Sequence, residues 1–273
     1  MKIITKEFKI KEFKALLTGY ILDNYDEIDI NRRRHAIIVF PGGAYAWNSK
    51  REAEGVAMRF TAQGFQAFVL NYTCCNEGAE YPVALSEALC AIKWVRENAE
   101  ELHVDPEKIA ICGFSAGGHL AANVSCDFNN EEALFYFDGK KDLSRPNACV
   151  LCYPVISSGE FAHKDSIKNL LGSRYSEEMK EKVSLEKQVT ALTPPTFIWH
   201  TFADGSVPVQ NSLLYAMSLK EKGVTSEIHI YPFGGHGLSL ANPETNKGCT
   251  EHEYEEIREW PEKAGRFLMQ VMR

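Results

Sequence analysis

No apolar run in this chain approaches the ~18 residues that a membrane-spanning helix needs. The opening Met1-Lys2-Ile3-Ile4-Thr5-Lys6-Glu7 interleaves charge with apolar residues, where a signal peptide would have an unbroken apolar core. A soluble, cytoplasmic protein with no membrane partner is therefore expected. Basic residues are in the minority: 30 Lys and Arg against 37 Asp and Glu leave a net charge of −7, which argues against a nucleic-acid surface and for a small-molecule partner. Internal repeats, low-complexity tracts and linkers are also absent. The 273 residues, 45% of them hydrophobic, are read as one domain (1–273) with an ample core. His35, His163, His229 and His252 show no paired metal-ligand spacing, and His252-Glu253 lacks the second histidine of H-E-x-x-H. Neither a metal nor a cofactor is implied.

Cysteine is not scarce, but its placement speaks against staples. Of the eight cysteines, Cys90, Cys112, Cys149 and Cys152 lie inside apolar strand or helix patterns, and a chain of this size needs no disulfide framework. Cys149 and Cys152 look like C-x-x-C, yet residues three apart on a strand point to opposite faces and cannot share a metal. Cys74-Cys75 is expected to be more exposed.

What is present is an alternation of strand and helix patterns. Residues 2–30 read as a strand pair, and His35-Ala36-Ile37-Ile38-Val39-Phe40 is continuous enough for the buried middle of a sheet. Ser49 followed by Glu52 resembles a capping box opening a helix over Lys50–Gln63. A strand at Gln66–Asn71 follows, then a helix started by Pro82 with the stripe Leu85, Ala88, Leu89, Ile92 and Val95. Asp105-Pro106 is read as the turn into the next strand. After a third helix, begun just past Ser115, come a charged loop from Asn129 to Arg145 and a strand at Ala148–Tyr153. The polar stretch of about 156–194 has helical patches but no strand alternation, and is read as a cap or lid. Strands at Thr196–His200 and Ser226–Tyr231 bracket a helix over Val207–Lys222, and a terminal helix, Tyr254–Met272, is interrupted by Pro261. The fold class is thus α/β, a mostly parallel twisted sheet with helices on both faces.

The chemistry centres on Gly113-Phe114-Ser115-Ala116-Gly117, at the end of the apolar run Ile109–Cys112 and followed at once by Gly118-His119-Leu120-Ala121-Ala122. A serine lifted onto a sharp strand-to-helix turn needs residues without a Cβ two places before and after it, and Gly113 and Gly117 meet that need. The following helix would aim free N–H groups and its positive dipole end at developing negative charge. A serine hydroxyl needs a base, and the base a carboxylate to fix its tautomer. Asp204, in Ala203-Asp204-Gly205-Ser206, and His236, in Gly234-Gly235-His236-Gly237, each stand after a later strand. His119 is read as a packed, hydrogen-bonded core residue against a neighbouring strand, and His200 as a strand end. Asp138, Asp142 and Asp165 are read as solvated loop carboxylates.

Together the elbow, the Asp204-Gly-Ser-Val-Pro segment and the Pro232-Phe-Gly-Gly-His236-Gly segment resemble the α/β-hydrolase superfamily. Pro41-Gly-Gly-Ala-Tyr45, Leu70-Asn-Tyr72, Tyr81-Pro82 and Val104-Asp-Pro106 are similar to its acetyl-xylan-esterase-like carbohydrate esterases, neighbours of the hormone-sensitive-lipase-like group. The resemblance implies Ser115 as nucleophile, His236 as general base and then acid, and Asp204 as orienting carboxylate. It implies an oxyanion hole from the Ala116 N–H and one from Gly42 or Gly43. Pro41 and Ala44 depart from the His-Gly-Gly-Gly form of the lipase branch and leave the second donor open. Tyr45, Trp47 and Tyr72 are candidates for walling the acyl pocket or facing a sugar ring, against ordinary packing. The expected activity is hydrolysis of short-chain acyl esters, acetyl foremost, on carbohydrate. An amide, formamide or lipase-like reaction on the same residues, and a catalytically silent binding protein, remain the alternatives.

Overall fold

The computed structural model describes residues 1–273, the side chain of His252 excepted, so the sequence reading of that histidine lies outside the described residues. The alternating patterns fold into one eight-stranded sheet with the order β1-β2-β4-β3-β5-β6-β7-β8. The strands are β1 (Lys2–Ile10), β2 (Phe13–Ile21), β3 (Arg34–Phe40), β4 (Gln66–Asn71), β5 (Val104–Phe114), β6 (Ala148–Cys152), β7 (Thr196–Thr201) and β8 (Ser226–Tyr231). β1 and β2 form an antiparallel hairpin, β2 runs antiparallel to β4, and all further pairings are parallel. The expected α/β architecture is borne out.

Connecting segments carry α1 (Glu54–Ala62), α2 (Val83–Glu97), α3 (Ala116–Cys126), α4 (Glu131–Phe135), α5 (Lys141–Ser144), α6 (Lys164–Leu171), α7 (Glu177–Lys182), α8 (Gln210–Glu221), α9 (Glu255–Arg258) and α10 (Trp260–Val271). Because successive strand residues point to opposite faces, the sheet separates two cores. On one side Ile38, Ile111, Leu151 and Ile198 meet α2, α3 and α8. On the other, Val39, Cys112, Val150 and Trp199 meet α1 and α10. There Trp260 sits 5.7 to 6.0 Å from the rings of Phe60, Phe114 and Trp199. Such aromatic pairs add about 0.5–1.5 kcal/mol each to the area they bury. Cys149 joins the first core and Cys152 the second, as their spacing requires. None of the described helices is long and apolar enough to cross a membrane.

Several local expectations need correction. The helix expected over 50–63 is split: Lys50–Glu52 is one 3-10 turn, the Ala53 backbone breaks the run, and Ser49 makes no side-chain cap. Glu52 is turned into the protein and therefore does not reach back to cap. The loop expected at 129–145 holds α4 and α5, the former capped by Asn130 accepting from the Ala133 N–H at 2.9 Å. Asp105-Pro106 lies within β5 and not before it. The register against β3 jumps from Arg34–Val104 to Ala36–Ile109, a bulge that absorbs the intervening residues. Cys74 is buried, its thiol pushed up to about 12 by burial and then by Glu77, and of this pair Cys75 alone is partly exposed. The 156–194 stretch is strandless, and its Ile156, Ile167, Leu171, Val183 and Leu185 enter the first core.

One buried acid in this frame has a measurable consequence. Glu87 of α2 is fully enclosed and accepts from the Thr73 N–H at 2.7 Å and the Thr73 hydroxyl at 2.5 Å, holding the loop after β4. Burial, only partly offset by those bonds, raises its carboxyl from 4.5 to about 7. A folded pKa above the unfolded one means that this group's stabilisation is full below about 4.5 and is lost as pH rises through about 7. The loss amounts to roughly 3 kcal/mol at most. Urea midpoints from pH 4.5 to 8 should fall in the wild type relative to Glu87→Gln, and parallel curves for the two proteins would contradict the assignment.

Candidate active site

At the C-terminal end of β5 the chain turns sharply into α3, and Ser115 takes φ 53°, ψ −116°. That conformation is costly for a residue with a Cβ and persists only where its surroundings impose it. A Cβ on Gly113 would stand 2.1 Å from the Gly117 carbonyl oxygen, and one on Gly117 2.1 Å from that of Phe40. No larger residue fits either position. The Ser115 N–H donates to the Cys152 carbonyl at 3.0 Å, and the Ser115 carbonyl accepts from Val155 at 3.0 Å, so the apex is pinned to the end of β6.

The loop after β8 brings His236 to the hydroxyl. His236 Nε2 lies 2.7 Å from Ser115 Oγ, and His236 Nδ1 lies 2.7 Å from Asp204 Oδ2. A carboxylate facing Nδ1 fixes the proton there, leaving Nε2 to accept from the serine hydroxyl. The His236 ring packs against Tyr153 with centroids 5.1 Å apart. Asp204, in the turn after β7, is nearly enclosed. Its Oδ1 accepts from the N–H groups of Ser206 and Val207 at 2.8 and 2.9 Å, and its Oδ2 also faces His200 Nε2 at 3.2 Å. Burial by itself would raise this carboxyl, but the hydrogen bonds from His200, His236 and the Val207 N–H outweigh it and hold the group well below the usual carboxylate range. His200, read from the sequence as a strand end, is fully buried and tied to Ser212 Oγ at 2.8 Å, and so steadies Asp204 from behind.

The Gly42 N–H does not face the serine, for it donates to Glu52 Oε2 at 2.8 Å. This corrects the reading of Gly42 as a donor to an oxyanion: its proton is already committed. Gly43 and Ala44 line the cavity next to Ser115, and among the described residues neither N–H has an acceptor. Ala116 follows the serine at the N-terminus of α3.

Glu52 is the residue that the sequence did not mark. Its Oε1 accepts from the Tyr153 hydroxyl at 2.7 Å, and that same oxygen of Tyr153 accepts from the Ser239 N–H at 2.9 Å. One buried carboxyl group thus joins the loop after β3, the end of β6 and the histidine loop. Acidic residues near a helix start usually read as caps, and only the inward turn at Ala53 betrays a different use.

The cavity over Ser115 and His236 measures about 570 Å³. Of the three aromatic candidates only Trp47 lines it, with 59% of its surface exposed. Tyr45 and Tyr72 are buried behind the loop, their hydroxyls engaged with His119 Nδ1 at 2.9 Å and the Pro41 carbonyl at 2.7 Å. They lie beneath the loop and do not line the cavity over Ser115. His119 is hydrogen-bonded and buried, as expected, but its second partner is the Val183 carbonyl in the 156–194 stretch and not a strand. Burial lowers its imidazole to about 4. That stretch also sends His163 into the cavity wall, where burial first and the nearby His236 second lower its imidazole below the ordinary range. No group of three or more His, Cys, Asp or Glu among the described residues converges as metal ligands would.

A mostly parallel sheet with a strained serine elbow, followed in chain order by an acid and a histidine that meet it, defines the α/β-hydrolase fold. The profile of the BD-FAE family matches residues 22–219, and the chain belongs to that family. It is similar to endo-1,4-beta-xylanase B of Butyrivibrio fibrisolvens, 38% identical over 81% of this chain and 35% of that protein. It is also similar to an acetylxylan esterase of Xylanibacter ruminicola, 33% identical over 77% of this chain and 42% of the other. The chain thus spans well under half the length of these two curated relatives. Among solved structures, an acetyl ester-xyloside bifunctional hydrolase from Caldicellulosiruptor lactoaceticus is 39% identical and superposes with a TM-score of 0.80 over 95% of this chain and 89% of that one. The carboxylesterase Cest-2923 from Lactobacillus plantarum, 28% identical, gives 0.87 over 99% and 98%.

The Ser115–His236 bond predicts an unusually nucleophilic hydroxyl. An alkyl fluorophosphonate should attach to Ser115 alone, as read by peptide mass, and His236→Ala should slow labelling roughly a thousandfold or more. Equal labelling rates in the two proteins would show that the histidine does not activate the serine.

Proposed function

We propose that this chain is a serine carboxylesterase that releases short acyl groups, acetate foremost, from carbohydrate alcohols such as xylo-oligosaccharides. The observation that carries the reading is the continuous hydrogen-bonded chain from Ser115 through His236 to Asp204, with 2.7 Å at each link. The relatives named acetylxylan esterase and acetyl ester-xyloside hydrolase support the choice of acyl group and alcohol.

In this mechanism Ser115 Oγ attacks the ester carbonyl while its proton passes to His236 Nε2. The imidazolium so formed is stabilised by Asp204, which keeps its charge because its carboxyl is held so low. The carbonyl oxygen becomes an oxyanion, received by the Ala116 N–H and by that of Gly43, the neighbour of the already committed Gly42. Preorganised donors of this kind contribute about 3–4 kcal/mol each to the transition state. His236 then gives its proton to the departing alcohol oxygen, leaving an acyl-serine. Water, deprotonated by the same nitrogen, attacks that acyl group; the proton then passes from Nε2 to Ser115 Oγ as the acyl–oxygen bond breaks and the carboxylic acid leaves. Every atom transferred comes from the ester, the water and these side chains.

Ser115→Ala should abolish turnover of acetyl esters with an unchanged unfolding transition, while octanoyl esters should be slower than acetyl esters in the wild type. Faster octanoyl turnover, or no acetate released from acetylated xylo-oligosaccharides, would point to a lipase-like or formamidase-like reaction on the same residues. Because the Asp204 carboxyl is held so low, its protonation should contribute nothing to any loss of kcat/KM between pH 5 and 8, and Asp204→Asn should lower kcat/KM by a similar factor at both ends of that range.

Glu52 acts here as a positioning residue. Glutamine can accept from the Gly42 N–H only by turning its amide nitrogen toward the Tyr153 hydroxyl, which then loses its acceptor. Glu52→Gln should therefore lower kcat roughly tenfold or more with KM nearly unchanged, since the loop that donates to the oxyanion is displaced. A change confined to thermal stability would reduce Glu52 to a packing role.

A further inference from the structure

We infer that the alcohol side of this cavity receives a carboxylate, so that the preferred ester is one whose alcohol carries a negative charge, such as an acetylated oligosaccharide bearing a sugar acid. The inference rests on the esterase reading and deepens it. Its basis is the charge on the wall: Lys50, Arg51 and Lys247 all line the cavity over Ser115 and His236. The acidic side chain on that wall is Glu52, and both of its oxygens are turned inward to Gly42 and Tyr153. Asp204, behind His236, has both oxygens engaged by His236, His200 and two backbone N–H groups. In a chain with 37 acidic and 30 basic residues, a wall of three cations with no free carboxylate runs against the average surface.

Nor do these cations serve the fold. Among the described residues none of the three side chains forms an ion pair or hydrogen bond, whereas Arg34, Arg96, Arg174 and Arg258 are each anchored to carbonyl or carboxyl oxygens. Arg51 is only partly exposed, and its Nη2 lies 3.1 Å from the point where a Cβ of Gly237 would stand. Gly237 follows His236, the group that hands its proton to the departing alcohol. A guanidinium packed against Gly237 is thereby assigned to the side of the cavity where His236 meets the departing alcohol. Its planar fork matches a carboxylate at two points, and Lys50 and Lys247 add point charges at the rim. A half-enclosed site weakens the screening that would make such an attraction negligible in open water.

The test compares two aryl acetates that differ in one charge, 3-acetoxybenzoate and its methyl ester, in wild type, Arg51→Gln and Lys247→Gln. A third ester, a hemisuccinate of a neutral phenol, carries the carboxylate on the acyl side. At low ionic strength the wild type should favour the anionic acetate in kcat/KM by about tenfold, the scale of one charge-assisted hydrogen bond. The ratio should fall toward one in Arg51→Gln, partly in Lys247→Gln, and in the wild type at about 0.5 M salt. The same ranking is expected for acetylated xylo-oligosaccharides with and without a uronic acid substituent. Equal rates for the charged and neutral acetates at low salt would overturn the inference, as would a ratio insensitive to both substitutions and to salt. An equal advantage for the hemisuccinate would overturn the assignment to the alcohol side. Absence of turnover with every ester would instead bring down the esterase reading, and the anion site with it.

Discussion

The contact on which this site depends is the one at the elbow, where no atom larger than hydrogen can stand on Gly113 or Gly117. The strain at Ser115 is held by the sheet on both sides: β3 supplies the Phe40 carbonyl that crowds Gly117, and β6 supplies the Cys152 carbonyl that takes the Ser115 N–H. Three parallel strands therefore fix one hydroxyl. The rest of the site consists of loops leaving the same end of the same sheet, so their separations follow from strand spacing and register.

Two nearly enclosed carboxyl groups organise those loops by engaging both of their oxygens. Asp204 gathers the turn after β7, the ring of His236 and, from behind, His200. Glu52 gathers the loop after β3 and, through the Tyr153 hydroxyl, the backbone of the histidine loop at Ser239. Each is set among donors that would be unsatisfied without it, which is the condition under which a buried carboxyl rigidifies a structure. The two clamps meet at Tyr153: its hydroxyl belongs to the Glu52 network, and its ring supports His236.

The sheet, its helices and the meeting of Ser115, Asp204 and His236 were legible because each leaves a local signature: strand alternation, a glycine-flanked serine, and loop residues placed after strands. Glu52 was not, since an acidic residue three positions after Ser49 satisfies a capping pattern equally well, and its true partner Tyr153 is 101 positions away. Tyr45 and Tyr72 misled for a related reason. Proximity to the glycine loop in sequence does not say which side of the loop a ring occupies, and both hydroxyls found acceptors inside the protein. The helices at 131–135 and 141–144 are too short for an apolar period to emerge from their charged surroundings. The bulge in β5 was hidden because Asp105-Pro106 reads as a turn whether or not pairing has begun before it.

Cys149 and Cys152, on opposite faces of β6, give the sheet a built-in chemical clock. Both sulfurs are wholly enclosed, and burial holds both thiols far above the range in which they would ionise near neutrality. An alkylating reagent needs a thiolate and access to it. Neither is available while β6 remains between β5 and β7, and no fraying of a surface loop supplies them. When the reagent reacts faster than the sheet recloses, the rate at which these two sulfurs react is the rate at which the middle of the sheet comes apart, read separately from the two sides of one strand.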